Sequence, residues 1–374
     1  MPSARILCCD IDAFFCQAAY LAWPEKLRDV ELLLVGGHPE RRGVVASCSY
    51  AARQRGVHSA MPMATAVRIC PEATAVPVPW ATVRRKSHEV FTVMSRFAER
   101  LERVSIDEAY LLLPGSDEPP ERAAQRIRQA VQEETDITIS IGGASVRFLA
   151  KMATSHAKPK PGTGATGVFI VPPGGEYDFV GRQALGDIPG IGPAFLQALE
   201  RRGVGSIAAA RRIDLHTLTL WLGPGRAQYL YDRVRAIDPT PVSEGKEPRK
   251  SISSEETFQR DLYGMEALEG ELETLVADVG RTLRKLGLRT RTLSVKLRDS
   301  EFQDRQKNRT LPQAIQTDRV IGQVARELLH QVRKLRPGPI RLLGVTLSSL
   351  EGPGSVEQLT FREIIPPLES DEER

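Results

Sequence analysis

Three acidic residues stand where buried strands would deliver them. Asp10 follows the apolar run Ile6-Leu7-Cys8-Cys9, and Asp107-Glu108 break the strand-like run from Val104 to Leu113. A carboxylate at the end of a buried strand is costly unless something neutralises it. A divalent cation does so, and carboxylates with few histidines suit Mg²⁺ better than Zn²⁺. Two acids from one strand and one from a neighbour could hold two ions about 3.5–4 Å apart, the spacing used for phosphoryl transfer. The alternative is a set of solvated acids in turns.

Other residues could handle phosphate. Tyr50 and Arg53 are three apart, on one face of a helix, and a hydroxyl beside a guanidinium fork suits phosphate oxygens. A plain helix-surface pair is the alternative. Lys158, in Ala157-Lys158-Pro159-Lys160-Pro161-Gly162, could neutralise a phosphate from a Gly/Pro turn, or be solvated. The turn Ile188-Pro189-Gly190-Ile191-Gly192 precedes an amphipathic stretch, Pro193 to Arg202. Such a turn frees backbone N–H groups for a phosphate. It resembles a helix-hairpin-helix, a grip on the DNA backbone without sequence readout, with Gly190 and Gly192 in the turn.

The elements that must position these groups read as alternating strands and helices. Ile6 to Cys9 and Glu31 to Val35 are apolar enough for buried strands, and Ile137 to Ile141 reads the same way. Tyr50 to Gly56, Ala64 to Ile69, Thr82 to Leu101 and Pro119 to Glu134 read as helices. The pattern predicts an α/β core to about residue 165, then a helical region from Gly181 to Ile237. Asp238 to Pro248 contains three prolines and predicts an extended, weakly packed linker. Beyond it, Glu266 to Leu286 has helical spacing. Leu293, Val295 and Leu297 alternate with Thr292, Ser294, Lys296 and Arg298, a strand with an apolar face and a partly basic one.

With 374 residues, 41% of them hydrophobic and 26% charged, the chain has the make-up of a multidomain globular protein. Its net charge of +4 excludes a histone-like tail, an acidic disordered chain and, with the composition, a collagen. The distribution says more. Arg281 to Arg341 carries 16 basic and 5 acidic residues, a net +11, whereas Glu351 to Arg374 carries 2 and 7, a net −5. The basic block predicts a polyanion-binding surface. The five cysteines, Cys8, Cys9, Cys16, Cys48 and Cys70, form no metal-binding spacing and read as reduced thiols of a cytoplasmic protein. No run reaches the ~18 apolar residues of a membrane span, and the first residues do not read as a signal peptide.

Taken together, the motifs resemble those of the Y-family translesion DNA polymerases, of the DNA polymerase IV type. The likeness rests on Asp10-Ile11-Asp12-Ala13-Phe14-Phe15, on Arg42 to Ser47, on Ser59-Ala60-Met61-Pro62 and on Ser105 to Tyr110. It continues through Phe148-Leu149-Ala150-Lys151, Ile188 to Gly192, Ser251 to Phe258 and Arg341 to Val345, nearly the whole chain. Two stretches depart from the pattern: Cys16-Gln17-Ala18-Ala19 after Phe15, and Val146-Arg147 before Phe148. Neither removes a ligand that the resemblance implies.

The resemblance implies a right-hand polymerase of α/β multidomain fold. It divides the chain into a ferredoxin-like palm (1–18 and 78–165), small fingers (19–77) and a helical thumb with the helix-hairpin-helix (166–237). A linker (238–249), an α/β little finger (250–348) and a flexible acidic tail (349–374) follow. It makes Asp10, Asp107 and Glu108 the carboxylates of a centre for two Mg²⁺ ions, with the Ile11 carbonyl as a further ligand. Ser47, Tyr50, Arg53 and Lys158, with the backbone of Ala13, Phe14 and Phe15, would hold the dNTP triphosphate. Phe15 would be the steric gate against a ribose 2′-hydroxyl, and Val44, Ala46 and Ala60 would cover the nascent base pair. Gly190, Gly192, Lys296 and Arg298 would grip the primer-template backbone. Gln358, Leu359 and Phe361 partly resemble a peptide that binds a sliding clamp. The implied activity is template-directed, error-tolerant DNA synthesis across lesions by a monomer. It would work at the bacterial nucleoid, without membrane attachment and without a proofreading domain. A catalytically silent DNA-binding relative and a Mg²⁺-dependent nuclease are the alternatives. The three carboxylates argue against the first, and Phe15, Tyr50 and Arg53 against the second.

Overall fold

The apolar run at the start of the chain forms β1 (Ile6–Ile11), with a strand bonded along each edge. Burial on both faces explains why it reads as a continuous apolar run rather than an alternating one. A computed structural model describes residues 5–115, 117–159, 164–243, 248–335 and 337–352, and the chain divides into two compact units, Met1–Lys246 and Glu247–Arg374.

In the first unit β1 leads into α1 (Phe14–Ala22) and α2 (Pro24–Leu27), then β2 (Leu33–Gly36) and β3 (Val45–Cys48). Next come α3 (Tyr50–Gln54), α4 (Met63–Ile69) and β4 (Thr74–Val76). Strands β3, β2 and β4 make a small sheet in that order, with β2 antiparallel to β3 and parallel to β4.

The chain then returns to the first sheet through α5 (Trp80–Ser95), β5 (Arg100–Arg103), β6 (Glu108–Leu112), α6 (Pro120–Thr135) and β7 (Ile139–Ala144). Helix α7 (Arg147–Ala157) and β8 (Val168–Ile170) follow. The strand order is β5-β6-β1-β7-β8, and β1 runs antiparallel to both neighbours. A β-α-β-β-α-β path with β1 and β6 central is ferredoxin-like connectivity, with β8 added at one edge. The helix expected to reach Leu101 stops at Ser95, and Arg100–Arg103 is a strand instead. Leu101 satisfies the helical spacing, but its backbone pairs with Leu111 on β6, and that ladder takes the residue out of the helix.

Alternation along β1 sorts the two faces. Leu7, Cys9 and Ile11 join the core that includes Val83, Val90 and Phe91 of α5 and Ile127 of α6. Cys8 joins the opposite core, with Tyr110 and with Phe148, Leu149 and Met152 of α7. Asp10 and Glu108 each lie two residues from a member of that second set, so they share the face that α7 covers. Helix α7 lies very close to β7. A Cβ on Gly142 would come within 2.1 Å of the Thr154 backbone nitrogen, so only glycine fits there.

The helical region contains α8 (Glu176–Gly181), a short 3₁₀ turn at Leu185–Asp187, α9 (Pro193–Glu200), α10 (Ile207–Arg211), α11 (Leu215–Leu222) and α12 (Pro224–Val234). The proline content of the segment after it predicts weak packing. Its described part is tied down. Val242 is buried, Asp238 accepts from the Phe148 N–H and pairs with Arg233, and the Ser243 N–H donates to Glu102. Residues 244–247 lie outside the described residues.

The second unit is built from β9 (Ser251–Leu262), α13 (Met265–Lys285), β10 (Arg289–Asp299), β11 (Asp304–Ile315), α14 (Asp318–Leu335) and β12 (Ile340–Glu351). Its antiparallel sheet has the order β11-β10-β12-β9. Leu293, Val295 and Leu297 are fully buried against α13 and α14, as their alternation predicts, and Lys296 and Arg298 point to the other face. Among the described residues no helix is long and apolar enough to cross a membrane.

Candidate active site

Strand register brings two of the three acids together. Asp10 and Glu108 are direct partners across the β1–β6 ladder. Their side chains are 13% and 15% exposed, and two carboxylates this close and this dry repel unless cations lie between them. Helix α7 supplies those cations. Lys151 Nζ donates to Glu108 Oε2 and lies 3.5 Å from Asp10 Oδ2. Lys158, at the C-terminal cap of α7, donates to Asp10 Oδ1 at 2.5 Å. Burial pushes the Lys151 ammonium down, but its bond to Glu108 and the charges around it outweigh that, so the net shift is upward. The Cys8 thiol faces Glu108 Oε1 at 3.8 Å. Burial and then Glu108 push that thiol up to about 12, so it stays a neutral donor.

The third acid stands apart. Asp107 precedes β6 in a turn, its carboxylate accepts from Ser105 Oγ, and its carbonyl accepts from the Ile11 N–H at 2.9 Å. Among the described residues no three His, Cys, Asp or Glu side chains are grouped to hold a metal. The pair Asp10 and Glu108 nonetheless fits a hard cation. The donors are carboxylate oxygens, and a positive charge, the Lys151 ammonium, already sits between them.

Beyond Asp10 the strand ends in a second carboxylate of different character. Asp12 is 3% exposed, and its Oδ1 accepts from Ser140 Oγ at 2.7 Å and from the Tyr50 hydroxyl at 3.3 Å. Its Oδ2 is buried with no hydrogen-bond partner. Burial pushes the Asp12 carboxyl up, against the opposing pull of Ser140 and Lys158. Burial and the Asp12 charge also push the Tyr50 phenol up.

The expected nucleotide contacts lie around this pair of strands. Ala13 takes a left-handed backbone (φ 42°) to begin α1 directly after β1, a strained conformation for a residue with a Cβ. The first N–H groups of α1, at Phe14 and Phe15, lie in its opening turn, where helix amides lack partners within the helix. Phe14 is buried, whereas Phe15 is half-buried with the edge of Trp80 against it at 5.8 Å. Ser49 caps α3 by accepting from the Ala52 N–H at 3.3 Å. The Arg53 guanidinium lies 5.3 Å over the Tyr50 ring, so the two residues do share a face. Ser47 is buried beside the Cys16 thiol. Val44 is half exposed and Ala60 is exposed with φ 68°. Ala46 is half-buried on β3.

In the helical region Gly190 has φ 90°, and a Cβ there would lie 2.7 Å from Tyr229 Oη. Gly192 caps α9 in an extended conformation with open space around it. Lys296 and Arg298 are not free cations: Lys296 pairs with Glu255 at 2.5 Å and Arg298 with Asp304 at 2.5 Å. Residues 160–163 near Lys158, and Gln358, Leu359 and Phe361 with the acidic end of the chain, lie outside the described residues.

Several contributors carried no role in the sequence reading. Lys151 is one of them: it stands seven residues, two helical turns, before Lys158 at the C-terminal cap of α7, and that spacing is a usable signal. Ser140 is the β7 partner of Asp10 in the ladder, a relation that only the register shows. The departures also find functions in packing. Gln17 donates to the Asp12 and Thr138 carbonyls and accepts from the Thr138 N–H. Arg147 makes a two-pronged pair with Glu102 and lies 4.3 Å over the Tyr110 ring.

The impB/mucB/samB family model matches residues 9–155, and the model of that family's C-terminal domain matches residues 249–361. A protein of Methanoculleus marisnigri called DNA polymerase IV is 36% identical over 370 residues, covering 96% of this chain and 98% of its own. One of the same name in Exiguobacterium sibiricum is 32% identical over 367 residues, covering 97% and 99%. Among solved structures, a Y-family DNA polymerase chimera, Dbh-Dpo4(243-245)-Dbh, superposes with a TM-score of 0.82 at 23% identity, over 93% of this chain and 99% of that one. An insertion ternary complex of Dbh DNA polymerase gives 0.59 at 23% identity, over 92% and 98%. Two family models and full-length relatives above 30% identity therefore agree, and the chain belongs to the impB/mucB/samB family, the Y family of DNA polymerases.

Proposed function

We propose that Asp10, Glu108 and Asp107 form the metal centre of this DNA-directed DNA polymerase, which adds deoxynucleotides to a primer 3′-hydroxyl. The synthesis is template-directed and error-tolerant, crosses lesions and lacks proofreading. The observation that carries the assignment is the register pairing of Asp10 with Glu108, held at a cation by α7. Asp107 completes the set by turning from Ser105, with the Ile11 carbonyl as a further oxygen. The metal is Mg²⁺, two ions per site. When bound, these ions lower the pKa of the primer hydroxyl and stabilise the leaving pyrophosphate.

The protein's own groups do the rest. Tyr50, Arg53 and Lys158, with Ser47 and the backbone of Ala13, Phe14 and Phe15, hold the triphosphate and offset its charge. Lys158 must give up Asp10 to do so. Phe15, braced by Trp80, is the gate against a 2′-hydroxyl. Val44, Ala46 and Ala60 cover the nascent pair with small side chains that tolerate distorted bases.

The domain reading follows. Residues 1–18 and 78–165 are the palm, whose sheet also takes in β8 (Val168–Ile170); 19–77 are the fingers and the rest of 166–237 the thumb. Residues 238–249 are the linker and 250–348 the little finger; of the expected tail, 349–374, residues 349–351 belong instead to the last strand of the little finger, because β12 stays paired with β10 to Glu351. Gly190 and Gly192 present backbone N–H groups to DNA phosphates. Lys296 and Arg298 exchange their carboxylate partners for phosphates, so duplex affinity falls steeply with salt. The enzyme works as a monomer in the cytoplasm, at the nucleoid, and Gln358, Leu359 and Phe361 tether it to a sliding clamp. Primer extension with Mg²⁺ and four dNTPs tests this reading. Extension across both undamaged and lesion-bearing templates is expected. No extension on either, or synthesis that stops at every lesion, would overturn it.

A further inference from the structure

Lys151 lies in a stretch that marks the family resemblance and is neither a metal ligand nor a nucleotide contact of the proposed site. Its ammonium touches Glu108 Oε2 and lies 3.5 Å from Asp10 Oδ2. Lys158 takes Asp10 Oδ1 and the Cys8 thiol faces Glu108 Oε1. All four carboxylate oxygens of the pair are therefore met by donors of the chain itself. Among the described residues only Lys151 serves both acids. A hard divalent cation needs those same oxygens, and an ammonium at the same point repels it.

Resting on the assignment of Asp10 and Glu108 to the metal centre, we propose that Lys151 is a built-in counter-cation. It holds the two carboxylates together in the metal-free chain and competes with the metal for them, so it sets how tightly the ion is held before DNA and nucleotide arrive. The placement suits that role. Helix α7 is seated on β7 through Gly142, which fixes the base of the lysine. The Lys151 side chain is 32% exposed, so its head has a way out to water on a flexible stem. Lys158 is not equivalent. It touches one oxygen of one acid, and its departure leaves Lys151 in place.

Mn²⁺ binding to the whole chain, without DNA or nucleotide, tests the proposal, with free Mn²⁺ read by electron paramagnetic resonance. Lys151→Met should tighten binding by about tenfold, the scale of removing one neighbouring like charge, and lower the melting temperature of the metal-free chain. Lys151→Arg keeps the charge and should stay near the parent affinity. Lys151→Gln, which keeps a donor to Glu108 without the charge, stands in if the Met variant does not fold, and should also tighten binding. Unchanged or weaker Mn²⁺ binding in the folded neutral variant overturns the proposal. Asp10→Ala separates the two claims. A Mn²⁺ site that survives Asp10→Ala overturns the carboxylate assignment, and the proposal with it. A site lost in Asp10→Ala but unmoved by Lys151→Met overturns the counter-cation alone.

Discussion

Tyr50 donates its hydroxyl to Asp12 Oδ1 at 3.3 Å, a bond that joins the end of the central strand to the short helix bearing Arg53. It rests on a carboxylate that the fold tolerates at a cost, since Asp12 is 3% exposed and its other oxygen has no partner. The cost is consistent with a positioning role for Tyr50 at the triphosphate.

Asp12→Asn should therefore separate stability from function. The folded pKa of Asp12 is raised, chiefly by burial, so its charged form is disfavoured in the fold. The parent gains stability relative to neutral pH as pH falls through that raised pKa, and the gain is complete below the ordinary value of about 3.9. At neutral pH Asp12→Asn should be more stable by about 1 kcal/mol, with the gap closing as acid protonates the parent. Thermal melts across that range read this out. Its KM for dNTP should rise severalfold as Tyr50 loses a charged anchor.

The gate is testable in isolation. Phe15→Ala should admit ribonucleotides, read as a large rise in rNTP over dNTP efficiency. Trp80→Ala removes the edge contact behind the ring and should relax the selectivity less. Unchanged sugar selectivity in Phe15→Ala would remove the gate assignment.

The strap after α12 depends on a departure from the family pattern. Arg147 grips Glu102, and Glu102 in turn accepts from the Ser243 N–H at 2.9 Å. Burial alone would lower the Arg147 pKa, but the Glu102 pairing raises it. Arg147→Ala should release residues 238–243 and speed tryptic cleavage at Lys246, Arg249 or Lys250 severalfold. Cleavage at the parent rate would mean the strap is held elsewhere.

Two glycines in one turn should behave differently. Gly190→Ala forces φ 90° on a side chain that would meet Tyr229, and should cost more than about 1 kcal/mol and weaken DNA binding. Gly192→Ala adds a Cβ in open space at φ −79°, and should change stability by less than about 0.5 kcal/mol. Melting curves of the two variants decide it.

Much of this was legible in the residues. The buried strand before Asp10 and the alternation at Leu293, Val295 and Leu297 follow from hydrophobic spacing. Pairing was not legible. That Asp10 faces Glu108 and Ser140 depends on register between strands far apart in the chain, and Asp107 is turned away from them by a local bond to Ser105. Leu101 fitted a helix until its partner Leu111 claimed it. The Pro-rich segment after Ile237 looked unattached because Glu102 and Arg147, which hold it, lie far away in the chain. Lys296 and Arg298 looked like open cations because Glu255 reaches Lys296 from β9, across the intervening β12, and Asp304 reaches Arg298 from the adjacent β11.

Asp107, apart from Asp10 and Glu108 in the free chain, should join them to carry nucleotidyl transfer. Single-turnover primer extension by Asp107→Ala, with primer-template affinity measured in parallel, tests it most directly. Extension should fall by at least about a hundredfold, with DNA affinity within about threefold of the parent. Extension at the parent rate would contradict it.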